Sequence, residues 1–541
     1  EMTSSLVGSE MCIRDSIYIR DLEKRFIKVR CLWIMDFLLF YENNKSSELR
    51  NNMKKNYSSH KYSKWTLLFL FLCIGHSAKA DYPIFWQRYT ADPSGIEYNG
   101  RLYLFCSHDT YNAERGYGYF MNDITCISTD DMKNWTDHGE VFHAKDSKWG
   151  AKMTWAPCVV HRNGKFYLYY GDANSGGIGV AVSDLPTGPY IDNHDRPVVG
   201  MDTPGVLLYD ENNRCIKNKK GVPGAISGSE NWGMWCFDPC VFVDDDGQAY
   251  MYFGGAHPDN SRIIKLKENM TEVDGSAVKP NTPGFFEASF VHKYRGKYYL
   301  SYAGHYFGKP ANIEYVMSDK PMEGFRNPGV ILPNPPVNDG FNNHHSIFQF
   351  KGEWYIAYHN RKVAYENNEQ DQRSREYMRS VCIDRLFHNE DGTVQTVEVT
   401  RDGLEQLKNV DPYRRNEAET MAKGYGIDTE FKARGCSDRI VTSIHNGDYL
   451  KIRGVDFKNG GASKFAASLS ALKGSGRVEI RLEGVDGLLI GTLPVSLTGS
   501  WEKWQTMTTD VKHLGGVYDL YLVFKGEEGE LFRMDYWSFT K

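Results

Sequence analysis

One short pattern recurs five times between residues 90 and 360, and it limits what the chain can fold into more than any other feature. It reads NGRLYLFC from Asn99, NGKFYLYY from Asn163, DGQAYMYF from Asp246, RGKYYLSY from Arg295 and KGEWYIAY from Lys351. Each copy has a turn glycine (Gly100, Gly164, Gly247, Gly296, Gly352) and a tyrosine three residues later (Tyr103, Tyr167, Tyr250, Tyr299, Tyr355). A turn dipeptide such as Asn-Gly or Asp-Gly ahead of alternating aromatic residues is a hairpin signal. A further strand ending in Ser-Asp or Ser-Thr-Asp follows in three copies: CISTDDMKNW from Cys126, VAVSDLPTGPY from Val180 and YVMSDKPMEGF from Tyr315. Each unit therefore holds at least three strands, and the glycines are 64, 83, 49 and 56 residues apart. That spacing meets or exceeds the roughly 40–50-residue repeat of propeller blades. The pattern predicts an all-β chain whose first domain is a five-bladed β-propeller. A lone unit would also fit a β-sandwich, but five similar units argue against one.

The positions ahead of each turn glycine carry the chemistry. Asp92 lies eight residues before Gly100, Trp155 nine before Gly164, Asp238 nine before Gly247, Glu287 nine before Gly296 and His344 eight before Gly352. These read as equivalent places at the start of the innermost strand of each blade, so five separated side chains should converge on one axis. The acids sit among apolar and aromatic neighbours, as ADPSG, CFDPCV and FFEASF. A buried carboxylate is costly unless it is paired or functional. One such acid reads more readily as a turn residue or an arginine partner, but three in register read as a site. Clustered carboxyls whose pKa values are pushed apart are what glycosidic cleavage requires. One must donate a proton to the leaving oxygen and one must be ionised. A third can raise the donor's pKa by like-charge repulsion.

The motifs ADPS, WAPCV from Trp155, FDPCVFVDDDG, FFEASF and NNHHS from Asn342 resemble glycoside hydrolase family 43, over about residues 81–405. The resemblance implies an inverting hydrolase with Asp92 as general base, Asp238 as pKa modulator and Glu287 as general acid. Inversion implies that the Asp92 and Glu287 carboxyls stand roughly 6.5–9.5 Å apart. It also implies that His344, rather than His345, helps to hold a central ion largely through waters, and that Trp155 and Arg379 contact sugar. Invertase-like propellers use Asn-Asp-Pro, Arg-Asp-Pro and Glu-Cys, whereas this chain has Ala91-Asp92-Pro93, Phe237-Asp238-Pro239 and Glu287-Ala288. That difference argues against the fructosidase branch. Within the resemblance, an α-L-arabinofuranosidase acting on arabinoxylan leads. A β-xylosidase and an endo-acting xylanase or arabinanase stay open, as does a non-catalytic glycan-binding propeller.

From about residue 415 the texture changes to short alternating strands, which read as a jelly-roll β-sandwich over 415–541. These segments resemble a family 6 carbohydrate-binding module. The resemblance implies a structural Ca²⁺ on Glu417, Glu419 and Asp535, no organic cofactor, and sugar contact through Trp501. Arg533 stands where that family usually has a sugar-binding Asn.

The net charge of −5 gives no basic surface for nucleic acid. Residues 1–52 lack strand or turn rhythm and read as a non-native or unstructured leader. Met53 to Ala80 reads as a secretory signal: a lysine-rich start, the ten-residue apolar run Trp65 to Ile74, and Ala78-Lys79-Ala80 as a cleavage site. The run is too short to span a bilayer. A propeller over 81–410, export, monomeric action on plant cell-wall polysaccharide, and no membrane partner are the resulting expectations. Eight cysteines follow the signal, scattered without metal-ligand spacing, and read as mostly buried thiols rather than a disulfide framework.

Overall fold

The computed structural model describes residues 82–172, 176–217, 233–305, 310–338, 340, 342–367, 371–433, 437–472 and 476–541. The expected leader, the signal segment and Cys436 lie outside them. No helix among the described residues is long and apolar enough to cross a membrane.

Five antiparallel sheets follow one another along the chain. The first is β1 (Thr90–Tyr98), β2 (Arg101–His108), β3 (Asp123–Thr129) and β4 (Trp135–His143). The second is β5 (Trp155–Arg162), β6 (Lys165–Asp172) and β7 (Gly177–Ser183), and the third is β8 (Cys240–Val243), β9 (Ala249–Phe253), β10 (Arg262–Leu266) and β11 (Val273–Val278). The fourth is β12 (Phe285–Tyr294), β13 (Lys297–Gly304), β14 (Asn312–Ser318) and β15 (Arg326–Leu332), and the fifth is β16 (His345–Phe350), β17 (Glu353–Asn360) and β18 (Ser380–Arg385). Two short helices, α1 (Lys362–Glu366) and α2 (Gln372–Tyr377), interrupt the last sheet. The inner strands touch in the ring β1, β5, β8, β12, β16 and back to β1. The N-terminal segment helps to close that ring, since Ile84 N–H donates to Val381 O at 3.1 Å and Thr90 N–H to Arg379 O at 2.8 Å.

The repeated hairpin is what the sequence pattern predicts. Asn99-Gly100, Asn163-Gly164, Arg295-Gly296 and Lys351-Gly352 all have both residues at positive φ, the geometry of a two-residue type I′ turn. The turn at Gly247 is longer, closed by Asp244 N–H to Gln248 O at 2.9 Å. The strands following these turns supply the apolar layers between blades, with Phe105, Leu168 and Tyr170 in one and Tyr252, Leu300 and Tyr302 in another. The seven described cysteines are thiols, and all but Cys215 are buried.

Residues 416–541 form a two-sheet sandwich around its own core, with Phe465, Leu522, Phe524 and Trp537 among the buried residues. The sandwich does not hang from a linker. Its short strand Thr420–Met421 pairs antiparallel with Thr136 and Trp135 at the outer edge of β4, making it the fifth strand of the first blade. Beside that seam Asp137 is buried between Arg88, which donates to it at 2.7 Å, and Arg439. Gly139 turns there at a φ of 69°, a left-handed backbone that favours glycine, with the Arg439 guanidinium packed against it.

Candidate active site

All five positions singled out by the repeat line one cavity of about 240 Å³, together with Arg379. They are not equivalent residues, however. Asp92, Ala156, Asp238 and Ala288 share a left-handed backbone, with φ of 48°, 46°, 50° and 60°. Asp92 and Asp238 occupy this kink, whereas Trp155 and Glu287 precede it by one residue. The longer turn at Gly247 adds one residue to the Asp238 spacing and hides the offset in the sequence. Strand pairing shifts register at three of the four kinks: between Ala91 and Ser94, Trp155 and Cys158, and Glu287 and Phe290. In a regular strand, neighbouring side chains point to opposite faces. The bulge suspends that alternation, so residues of both parities reach the axis.

Each acid has a different environment. Arg379 Nη1 donates to Asp92 Oδ1 at 2.6 Å, and Asp92 N–H donates to His359 Nδ1 at 3.3 Å. Arg379 is itself held by buried Asp109, which accepts from Arg379 Nε at 2.8 Å, Nη2 at 2.7 Å and the backbone N–H at 2.9 Å. Burial opposes the charge of Arg379, but Asp109 and Asp92 outweigh it and hold the group ionised. The residue expected to contact sugar is therefore first of all a clamp on Asp92, with its remaining surface facing the cavity.

Asp238 accepts from Ala288 N–H at 3.0 Å. Burial, then repulsion from Glu287 and Asp92, push its carboxyl well above the usual range. Burial, then repulsion from Asp92, push Glu287 up to about 8, against a lowering by Arg379. The two cannot both ionise cheaply. The Ala288 N–H offsets part of the cost of charge on Asp238, and each acid is disfavoured as an anion. His344 Nδ1 stands 3.6 Å from Asp92 Oδ1 and 3.8 Å from Asp238 Oδ2, and burial, then Arg379, lower its pKa to about 3. It is a neutral imidazole between two acids. The buried Asn343 Oδ1, Ser289 Oγ and Ser346 Oγ lack protein partners. Orphaned polar groups that flank His344 in the chain, on Asn343 and Ser346, fit a hydrated cation.

Sequence reasoning missed Asp109, His359, Tyr119, Met121 and Trp235. Asp109, Tyr119, Met121 and Trp235 lie on connections between strands, outside the repeat. His359 lies on β17, beyond the inner strands that the repeat marks.

The other predicted residues lie in the sandwich, apart from this cavity. Arg533 Cζ sits 4.8 Å from the Trp501 ring centre, and its Nε is paired with Glu530 at 3.2 Å. One face of the expected sugar platform is thus covered by a guanidinium. Among the described residues the calcium trio does not gather as a preformed cage; the one close donor trio is His108, Asp123 and Glu140. Arg415 pairs with Glu417 at 2.8 Å and Lys432 with Asp535 at 2.8 Å. Glu419 Oε2 is buried without a partner, and burial first, opposed in part by its hydrogen bonding, pushes this carboxyl to about 8. An orphaned carboxylate beside two others fits a hard cation.

Residues 81–214 and 219–394 match the family described as glycosyl hydrolases family 43, and residues 417–541 match carbohydrate binding module family 6. An arabinoxylan arabinofuranohydrolase of Paenibacillus polymyxa is 39% identical over 85% of this chain and 74% of its own length. One from Bacillus subtilis is 37% identical over 88% of this chain and 98% of its own. The crystal structure of a Bacillus subtilis family 43 arabinoxylan arabinofuranohydrolase, in complex with cellotetraose, has 36% identity and a TM-score of 0.74, covering 86% of this chain and 98% of that one. Carboxylates in three distinct environments on a ring of five blades, and likeness along nearly the whole chain, lead to one assignment: the chain belongs to glycoside hydrolase family 43 and carries a family 6 carbohydrate-binding module.

Proposed function

We propose that this hydrolase is a secreted, inverting, exo-acting α-L-arabinofuranosidase that removes arabinose side chains from arabinoxylan. The observation that carries the reaction is the division of labour among the acids. Glu287 keeps its proton in a buried setting, while Asp92 is charge-paired with Arg379. In the proposed step a water attacks the anomeric carbon and gives a proton to Asp92 as the glycosidic C–O bond breaks. Glu287 protonates the departing oxygen, so one water is consumed and the products are free sugar and alcohol. Asp238, which Glu287 and Asp92 repel, is the modulator that disfavours a further charge in the cavity.

The sugar is inferred from the two arabinoxylan arabinofuranohydrolases to which the chain is similar. Exo action is supported by the cavity size, which lies below the ~300–1,000 Å³ of sites for drug-sized ligands and suits a single ring. Trp155 Nε1 is buried there without a protein acceptor, leaving a donor for a sugar hydroxyl. His344 would hold a hydrated cation whose positive field stabilises the two nearby carboxylates. Glu417, Glu419 and Asp535 would hold a second, structural one, and Ca²⁺ suits their oxygens. Secretion rests on the segment Met53 to Ala80.

The test is product release from aryl α-L-arabinofuranoside, aryl β-xyloside and arabinoxylan, with the first-formed anomer read by proton NMR. Arabinose released as the inverted anomer supports the reading. Xylose as the main product would promote the β-xylosidase reading, and retained configuration would refute the role given to Asp92. Export is checked by the N-terminal sequence of the mature protein.

A further inference from the structure

The catalytic cavity has room for one ring, so a polymer's main chain must lie on the rim. One side of that rim is built of tyrosines. Tyr119 lines the cavity and packs edge-on to Trp155 at 6.1 Å between ring centres. Tyr377, the last residue of α2, packs on Tyr119 at 4.8 Å. Arg373, one turn earlier on α2, lies 5.9 Å over the Tyr377 ring and donates from Nη2 to Tyr117 O at 2.8 Å. Tyr117 in turn packs on Tyr111 at 4.9 Å, and Tyr111 is 60% exposed. The connection between β2 and β3 and the helix between β17 and β18 are thereby tied into one surface running from the cavity to solvent.

This surface has no part in the core. An exposed tyrosine that packs edge-on against its neighbour has already lost part of its rotamer freedom, and rigid aromatic groups of this kind dominate binding surfaces. The C–H face of a pyranose ring is apolar and faintly positive, which suits the negative face of an aromatic ring. A flat, neutral, β-linked chain presents such faces repeatedly. We infer that Tyr111, Tyr117, Tyr119 and Tyr377 form the main-chain platform of the enzyme, on which the xylan backbone lies while its arabinose branch enters the cavity. The inference rests on the arabinoxylan reading above and adds where the polymer sits.

The experiment compares kcat/KM on soluble arabinoxylan with kcat/KM on an aryl α-L-arabinofuranoside, using the full chain. Their ratio is independent of the fraction of folded enzyme. Tyr111→Ala is expected to lower the ratio roughly tenfold, the loss of about one aromatic anchor. Tyr111→Phe, which keeps the ring, is expected to stay within twofold of the unsubstituted enzyme. An unchanged ratio in Tyr111→Ala, or an equal fall in Tyr111→Phe, overturns the platform while leaving the activity intact. An unsubstituted enzyme inert on both substrates overturns the activity reading and the platform with it.

Discussion

Replacing Glu287 with Gln isolates the proton that the site is built to hold. The carboxyl titrates at about 8 instead of the ordinary 4.5. At pH 6 a group with pKa 8 is about 99% protonated and one with pKa 4.5 about 3%, so burial enriches the acid form about thirtyfold. The same shift corresponds to at most about 5 kcal/mol against ionising Glu287, less whatever the cavity water screens. Two consequences follow. Activity of the unsubstituted enzyme falls as pH rises through about 8, because a general acid must be protonated. Stability also falls over that range, since a carboxyl with a raised folded pKa contributes fully below about 4.5 and loses its contribution as pH climbs through 8.

Glu287→Gln removes both effects. On arabinoxylan, whose leaving group needs a proton, kcat is expected to fall by roughly 10²–10⁴. On an arabinofuranoside with a strongly activated aryl leaving group the loss should be far smaller, and the alkaline limb of its pH profile should flatten. Thermal unfolding of the variant should lose the destabilisation seen in the unsubstituted enzyme between pH 5 and 8. Asp92→Asn is the contrast, since a missing base slows every substrate alike. Equal losses on both substrates in Glu287→Gln, with the alkaline limb intact, would refute the assignment of the acid.

Asp109→Asn keeps the shape around Arg379 but removes the charge that orients it, so kcat/KM is expected to fall about 10²-fold on aryl and polymeric substrates alike. Asp137→Asn removes the buried counter-charge between Arg88 and Arg439, leaving Arg88 with Glu140 at 3.6 Å, and is expected to cost roughly 3 kcal/mol in denaturant unfolding. In the unsubstituted protein that contribution is present above about pH 4 and is lost as pH falls through the lowered pKa of Asp137. Calcium at a hundredfold its Kd should add about 2.7 kcal/mol to the chelated protein, seen as a rise in melting temperature. Glu419→Gln should remove the sandwich module's share of that rise. Arg533→Asn should uncover Trp501 and strengthen retention by xylan in affinity electrophoresis at least threefold, by roughly 0.7 kcal/mol.

The hairpins were legible because Gly100, Gly164, Gly296 and Gly352 sit in turns that demand positive φ, and the repeat exposes such a demand directly. The acids were legible because burying Asp92, Asp238 and Glu287 among aromatic residues is costly, so their spacing stood out. Their exact equivalence was not, because a one-residue offset at the kink and a one-residue turn extension compensate in number while leaving Asp238 at the kink and Glu287 one residue before it. Asp109 was silent for another reason: its role comes from Arg379, 270 residues away, and no local periodicity records a contact of that range. Arg379 lines the cavity, and its pairings with the carboxylates of Asp92 and Asp109 are equally silent in the local sequence. A buried guanidinium takes the nearest carboxylates before it takes a neutral sugar.

The propeller and the sandwich have separate apolar cores, yet they share hydrogen-bonded structure. A sandwich joined by a flexible tether would be kept only if its cleft bound glycan. Here Thr420 and Met421 cover an edge strand that would otherwise present open hydrogen-bonding groups, and such edges are sites of mispairing. Asn134 adds to the seam, donating from Nδ2 to Arg453 O at 3.0 Å and accepting from Arg453 N–H at 2.8 Å. The blade that presents Asp92 therefore draws part of its order from the module. A module needed for that purpose is retained whether or not its own cleft works, which is compatible with Arg533 lying over Trp501 while the rest of the sandwich stays intact.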